Sequence, residues 1–140
     1  MRELIIIRGN PGSGKSTLAK CLLASYERFI PVCHYEADQF FTDKAGNYHW
    51  DVTRIGAAHA WCQTECAERL KEGDTVIVSN TFTTKKELQP YFEMIQQYGQ
   101  NPTVILAQSN FSSVHGVPEN VLHNMKNRFL FNIDEMFVKF

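Results

Sequence analysis

Leu4-Ile5-Ile6-Ile7-Arg8-Gly9-Asn10-Pro11-Gly12-Ser13-Gly14-Lys15-Ser16-Thr17 joins a strand-like apolar run to a loop that satisfies G-x-x-x-x-G-K-[ST] at every specified position, from Gly9 to Ser16. The pattern has a physical reading. Phosphate oxygens must approach several backbone N–H groups to about 3 Å. A side chain at Gly12 or Gly14 would obstruct either the loop's positive φ angles or the phosphate itself. Lys15 then supplies a point charge for the β and γ phosphates and Ser16 a hydroxyl for Mg²⁺. A helix opening at Lys15 aims its unpaired N–H groups and positive dipole end at the anion. Asn10, Gly12, Ser13, Gly14, Lys15, Ser16 and Thr17 are therefore the expected nucleotide-binding residues. A glycine-rich turn with a solvated lysine would not explain why a strand pattern precedes the loop and a helical one, Thr17-Leu18-Ala19-Lys20, follows it.

The composition sets bounds. The chain has 140 residues, 44% hydrophobic and 21% charged, which suits one domain around one core. A formal net charge of -1 leaves no basic surplus. Any nucleic-acid contact must then be local, at an end or over a few nucleotides, because long tracking surfaces need many Lys or Arg. No window approaches eighteen uninterrupted apolar residues, and the chain starts straight into a core strand without a charged-then-apolar leader. The expectation is a cytoplasmic protein with no membrane segment. Cys21, Cys33, Cys62 and Cys66 form no C-x-x-C pairs and are expected as free thiols.

Outward from the loop, Leu18, Cys21, Leu22 and Tyr26 recur at helical spacing and predict a helix over 14–26. Val32 to Tyr35 is a second strand, with Glu36-Ala37-Asp38-Gln39-Phe40-Phe41 at its carboxyl end, where ligands sit in open α/β sheets. Residues 42–51 read as a loop. Val52, Ile55, His59, Cys62, Cys66 and Leu70 then mark one face of a helix ended by Gly73. A metal reading of His59, Cys62 and Cys66 is the weaker one, because three ligands on one helix lack a second set elsewhere and Cys packs as a small core residue. Thr75 to Val78 is a third strand. Thr84 to Glu87 has the form of a capping box for a helix through Tyr98, with a kink or second start at Pro90. Thr103 to Ala107 is the fourth strand, and Pro118 opens a last helix that buries Val121, Leu122, Met125 and Phe129. Strands alternating with helices imply an α/β fold: a single P-loop domain over 1–130 with a parallel sheet of about four strands flanked by helices. The tail 131–140, FNIDEMFVKF, is too aromatic for water. It either covers the sheet or forms a subunit contact in a homo-oligomer.

The glycine-rich loop together with Asp38-Gln39-Phe40-Phe41, Gly46-Asn47-Tyr48-His49-Trp50-Asp51, Ser79-Asn80-Thr81, Glu87 to Tyr91 and His115-Gly116-Val117-Pro118 resembles the polynucleotide-kinase-like branch of the P-loop kinases. The resemblance runs from Leu4 to about Leu130. It implies ATP and Mg²⁺ as cofactors, with Lys15 and Ser16 as the phosphate and metal groups. It also implies that Asp38 accepts the proton of an acceptor hydroxyl on a nucleic-acid 5' end or a small nucleoside-like molecule. Placement at a strand's carboxyl end beside the P-loop strand agrees with that role, while helix N-capping is Asp38's alternative.

There are departures. The phage member of that branch carries an arginine three residues after the base, where this chain has Phe41, and an acidic residue where this chain has Asn80. Its lid arginines have no counterpart between Gln108 and Gly116. Arg54, Lys126 and Arg128 are the candidate replacements for that charge, and His115 is a candidate to hydrogen-bond ATP from the lid. Tyr48 and Trp50, with Arg54, either stack on a base or anchor their loop to the core. The missing lid arginines keep a second function open: an ATP-binding or ATP-hydrolysing module that acts through a partner.

Overall fold

The computed structural model describes residues 1–109 and 119–137. Four parallel strands, β1 (Glu3–Arg8), β2 (Val32–Tyr35), β3 (Thr75–Asn80) and β4 (Thr103–Leu106), form one sheet in the order β2-β3-β1-β4. The helices are α1 (Lys15–Tyr26), α2 (Ile55–Lys71), α3 (Lys85–Gln96) and α4 (Glu119–Arg128). Short 3₁₀ turns span Ala37–Phe41, Val52–Arg54 and Asp134–Met136. The order puts β1, and so the loop that leaves it, inside the sheet beside β3. That is where a parallel sheet with helices on both faces buries its most apolar strands.

The run Leu4-Ile5-Ile6-Ile7 is apolar without alternation because both sides of β1 are covered. Leu4 and Ile6 face Val76, Val78, Cys62, Cys66 and Leu70, together with Leu88, Phe92 and Ile95 of α3. Ile5 and Ile7 face Ala19, Leu18 and Leu22 of α1 on the opposite side. Burying each of Leu4, Ile5, Ile6 and Ile7 contributes about 1.5–3 kcal/mol.

Several local expectations meet a tertiary correction. Helix α2 begins at Ile55, and its covered face is Ala58, Cys62, Cys66 and Leu70. Val52 and Ile55, expected on that face, are exposed. The periodicity holds, but the helix's first turn overhangs the core. Pro90 lies inside one helix, Lys85–Gln96, with no second start. Position 90 is only the sixth residue of that helix. The capping box that opens it is formed, with the Glu87 carboxylate accepting from the Thr84 backbone N–H at 2.9 Å and from the Thr83 and Thr84 hydroxyls.

The described part of the tail packs on α3 through Ile133, Met136 and Phe137. Ile133 is buried in the same cluster as Leu88 and Ile95, and Phe137 meets Phe92 edge-on at 5.3 Å between ring centroids. Gln96 donates to the Met136 carbonyl at 3.0 Å, and Lys85 pairs with Glu135. Residues 131–137 therefore cover a helix that itself covers the sheet.

Arg8, the last residue of β1, is buried to 1% exposure. Its guanidinium donates to the Phe82 carbonyl at 3.1 and 2.8 Å and to the carbonyls of Leu130 and Phe131, and it stacks over the Phe129 ring at 4.4 Å. Burial lowers its pKa, with the Glu87 charge opposing. Phe82 holds a left-handed φ of 48°, a conformation that costs a bulky residue. The two bonds its carbonyl accepts from Arg8 help hold it there. This one side chain joins the P-loop strand, the turn after β3 and the segment after α4.

Candidate functional site

The loop after β1 folds as its sequence requires. Gly12 and Gly14 have φ of 81° and 90°, and Gly14 is the left-handed residue immediately before α1. At Gly9 the reason is space, since a Cβ there would lie 2.4 Å from Ser13 Oγ and 2.6 Å from the Ala107 carbonyl. The Asn10 carbonyl accepts from the Ser13 N–H at 3.1 Å and from Lys15 Nζ at 3.0 Å, closing the loop on itself. Burial lowers the pKa of Lys15, and the nearby carboxylates of Glu36 and, less strongly, Asp38 oppose that shift. Asn10 Oδ1 and Ser13 Oγ are buried with no hydrogen-bond partner among the described residues. Two unpaired polar atoms in a loop of this shape suit a site built for a polar ligand. Thr17 is exposed on the first turn of α1.

Opposite the loop stands a wall made by the carboxyl ends of β2 and β3. The β2–β3 register ends with Tyr35 against Val78. Continued by one and two residues, it brings Glu36 beside Ser79 and Ala37 beside Asn80. Both contacts form: Ser79 Oγ donates to Glu36 Oε2 at 3.0 Å, and the Ala37 N–H donates to Asn80 Oδ1 at 2.8 Å. Ser16 Oγ crosses from the loop to the same Glu36 Oε2 at 2.8 Å. His34 Nε2 lies 2.7 Å from Ser79 Oγ. Because Ser79 gives its proton to Glu36, His34 is the donor in that contact. Its imidazole is neutral at pH 7, since burial lowers its pKa more than the Glu36 charge raises it.

Asp38 sits in the 3₁₀ turn Ala37–Phe41 and accepts from Tyr48 Oη at 3.2 Å. Desolvation, with the Asp38 charge adding to it, raises the Tyr48 pKa to about 12. Tyr48 meets Phe41 edge-on, while Trp50 is 53% exposed and outside both core clusters. Arg54 stacks over Phe40 at 4.7 Å, next to the turn that carries Asp38. The structure thus brings together Lys15, Ser16, Asp38, Tyr48 and, through Phe40, Arg54. Arg128 donates to Thr83 Oγ1 at 3.3 Å, and Lys126 is exposed on α4. His115 lies outside the described residues.

Sequence reasoning passed over Glu36, His34, Ser79 and Arg8. The signal for Glu36 was available in its position, one residue past a strand that ends beside the P-loop.

A divalent cation that binds with a nucleotide triphosphate takes hard oxygen ligands. The Ser16 hydroxyl, backed by the Glu36 carboxylate within hydrogen-bond distance, is a donor set of that kind, and the residues fit. No group of three or more His, Cys, Asp or Glu arranged to hold a metal by themselves occurs among the described residues. The cation would therefore share its ligands with the nucleotide and water. Among the described residues, no helix is long and apolar enough to cross a membrane.

Comparison with known proteins agrees with this architecture. The model of the AAA domain family matches residues 4–115, from the first strand past β4. An uncharacterized protein of Pasteurella multocida, PM0531, is 31% identical over 135 residues, which span 89% of this chain and 75% of that protein. The APS kinase CysC of Mycobacterium tuberculosis superposes with a TM-score of 0.60 at 11% identity, covering 90% of this chain and 95% of the other. A chain of the Pnkp1/Rnl/Hen1 complex superposes with a TM-score of 0.54 at 21% identity, over 99% of this chain and 43% of that one. At such identities the likeness is one of fold, and the fold is the nucleotide-binding fold of P-loop kinases. By its glycine-rich loop, its four-stranded parallel sheet and a family match over most of its length, this chain belongs to the AAA domain family, as a P-loop kinase-like member.

Proposed function

We propose that this domain is an ATP-dependent phosphotransferase whose acceptor is a hydroxyl on a nucleic-acid 5' end or a small nucleoside-like molecule. One observation carries the reading: Asp38 lies in the turn directly after β2, held by the Tyr48 hydroxyl at 3.2 Å, at the same carboxyl end of the sheet as a glycine-rich loop with Gly12 and Gly14 at positive φ. Asp38 takes the proton of the acceptor hydroxyl as that oxygen bonds to the γ phosphorus. The bond from phosphorus to the β–γ bridging oxygen breaks, and ADP leaves. Lys15 and the amides from Gly12 to Ser16 hold the β and γ phosphates in line. Ser16 would hold Mg²⁺, which would supply neutralisation of the phosphate charge. Tyr48 holds Asp38 by its hydroxyl, and the exposed Trp50 ring offers a stacking face for a base beside it. A formal net charge of -1 suits a short or small substrate rather than a long nucleic-acid tract. The kinase fold shared with APS kinase and with a chain of the Pnkp1/Rnl/Hen1 complex supports phosphotransfer as the reaction class.

The test is transfer of labelled γ-phosphate from ATP to a panel of 5'-hydroxyl oligonucleotides and nucleosides. Asp38→Asn is expected to lower the rate by about 10²- to 10⁴-fold and to leave ATP affinity in place. A second reading, a nucleotide-binding module that acts through a partner, is favoured by one specific observation. All six arginines are described, and each already has a protein partner: Arg2 with Leu70 and Tyr98, Arg8 with Phe82, Arg28 with Phe29, Arg54 with Phe40, Arg69 with Asp74 and Arg128 with Thr83. Tight ATP binding without any labelled product would select that reading.

A further inference from the structure

In P-loop NTPases the Ser or Thr of the loop shares the Mg²⁺ with a carboxylate from a neighbouring strand. Here the strand beside β1 is β3, and its carboxyl end reads Ser79-Asn80, with no acid. The position is not idle, because Asn80 Oδ1 holds the Ala37 N–H and Ser79 Oγ holds Glu36. Both residues at the end of β3 are turned toward the next strand over, and what they position there is a carboxylate.

We infer that Glu36, at the end of β2, is the carboxylate partner of Ser16 for the divalent cation that accompanies the nucleotide. This rests on the nucleotide-binding reading of the loop, and it assigns the acidic role to a strand one place further from the P-loop. Glu36 Oε2 accepts the Ser16 proton at 2.8 Å, which leaves the lone pairs of Ser16 Oγ free for a cation. A second proton reaches the same oxygen from Ser79, whose hydroxyl is itself 2.7 Å from His34 Nε2. Two donors on one oxygen fix the carboxylate's orientation, and among the described residues Glu36 Oε1 has no such bond. Supports of this kind orient metal ligands and set their affinity. A surface glutamate whose only task was to brace a turn would not need a loop serine, a strand serine and a buried histidine converging on it.

The test is calorimetric titration of the full chain with ATP, once with excess Mg²⁺ and once with EDTA. The ratio of the two affinities is the readout. Glu36→Gln, isosteric and uncharged, is expected to lower Mg²⁺-ATP affinity by about 10- to 100-fold. Binding of metal-free ATP should be unchanged or tighter, because one negative charge leaves the neighbourhood of the triphosphate. Glu36→Asp keeps the charge on a shorter stem and is expected to lose less. It serves as the working variant if the glutamine protein does not fold. A bracing role alone would weaken both affinities together and leave the ratio at the wild-type value, and that result overturns the inference. Absence of ATP binding by the wild-type chain in both buffers would instead overturn the nucleotide-binding reading, and this inference with it.

Discussion

The two walls of the site are built in opposite ways. The phosphate loop is eight consecutive residues, Gly9 to Ser16, whose shape follows from glycines at φ of 81° and 90° and from a helix that starts at Lys15. The facing wall takes Glu36 and Asp38 from the end of β2, Ser79 and Asn80 from the end of β3, and Tyr48 from the loop beyond. A wall of the first kind needs little from the rest of the fold beyond a strand to leave and a helix to enter. A wall of the second kind exists only if β2 and β3 pair in one register. A slip of one residue would remove the Glu36 to Ser79 and Ala37 to Asn80 bonds together and turn the side chains to the other face. The first wall is thus robust and readable, while the second is conditional on packing.

That contrast can be broken by mutation. Among variants that test the contrast between the walls, the largest effect is expected at Lys15→Ala. Loss of a charge-assisted contact to the phosphates should weaken ATP binding by roughly 30- to 150-fold, about 2–3 kcal/mol. The melting temperature should stay level or rise, because burial lowers the Lys15 pKa and the ammonium is held there against a desolvation cost. Calorimetry and a thermal melt read both. A large fall in melting temperature would mean that the loop is as dependent on packing as the facing wall.

Asn80→Ala should do the reverse. It strands the buried Ala37 N–H, at a cost of about 1–3 kcal/mol in chemical denaturation. Nucleotide affinity should change by no more than a few-fold. Equal losses in both measurements would erase the distinction between the walls. The smallest effect on stability is expected at Trp50→Ala, within about 0.5 kcal/mol, because the ring is 53% exposed. The same variant should raise the KM for a base-bearing acceptor and leave that for ATP unchanged, as initial rates at varied acceptor would reveal. A clear loss of stability would return Trp50 to the role of loop anchor.

Much of the fold was legible because its signals are local. The strand Val32–Tyr35 follows Pro31 and is rich enough in β-branched and aromatic residues to be bounded to the residue. The capping box at Thr84 to Glu87 places the start of α3, and Gly73 follows the helix it was expected to end. Other features resisted. The spacing of Val52 and Ile55 matches the buried stripe of α2, yet nothing in that spacing says where the core stops, and both residues project beyond it. Arg8 sits in an apolar strand where a charge reads as the end of the core. In the folded chain it is among the most buried side chains, because carbonyls from positions 82, 130 and 131 converge on it. The aromatic tail signalled that it needed cover, and the partner proved to be α3, through Ile133 and Phe137. Glu36 went unread because its meaning lies in Ser16 and Ser79, which stand 20 and 43 positions away in the chain.

By itself the sequence determined that this chain carries a glycine-rich P-loop at the mouth of a parallel α/β sheet. Backbone angles, glycine placement and helix onset are properties of neighbouring residues. Only the tertiary structure decided which carboxylate faces the loop serine, which arginine is spent on the core and which ring stays free. Those outcomes depend on strand order and register, and on which side chains the packed core leaves exposed.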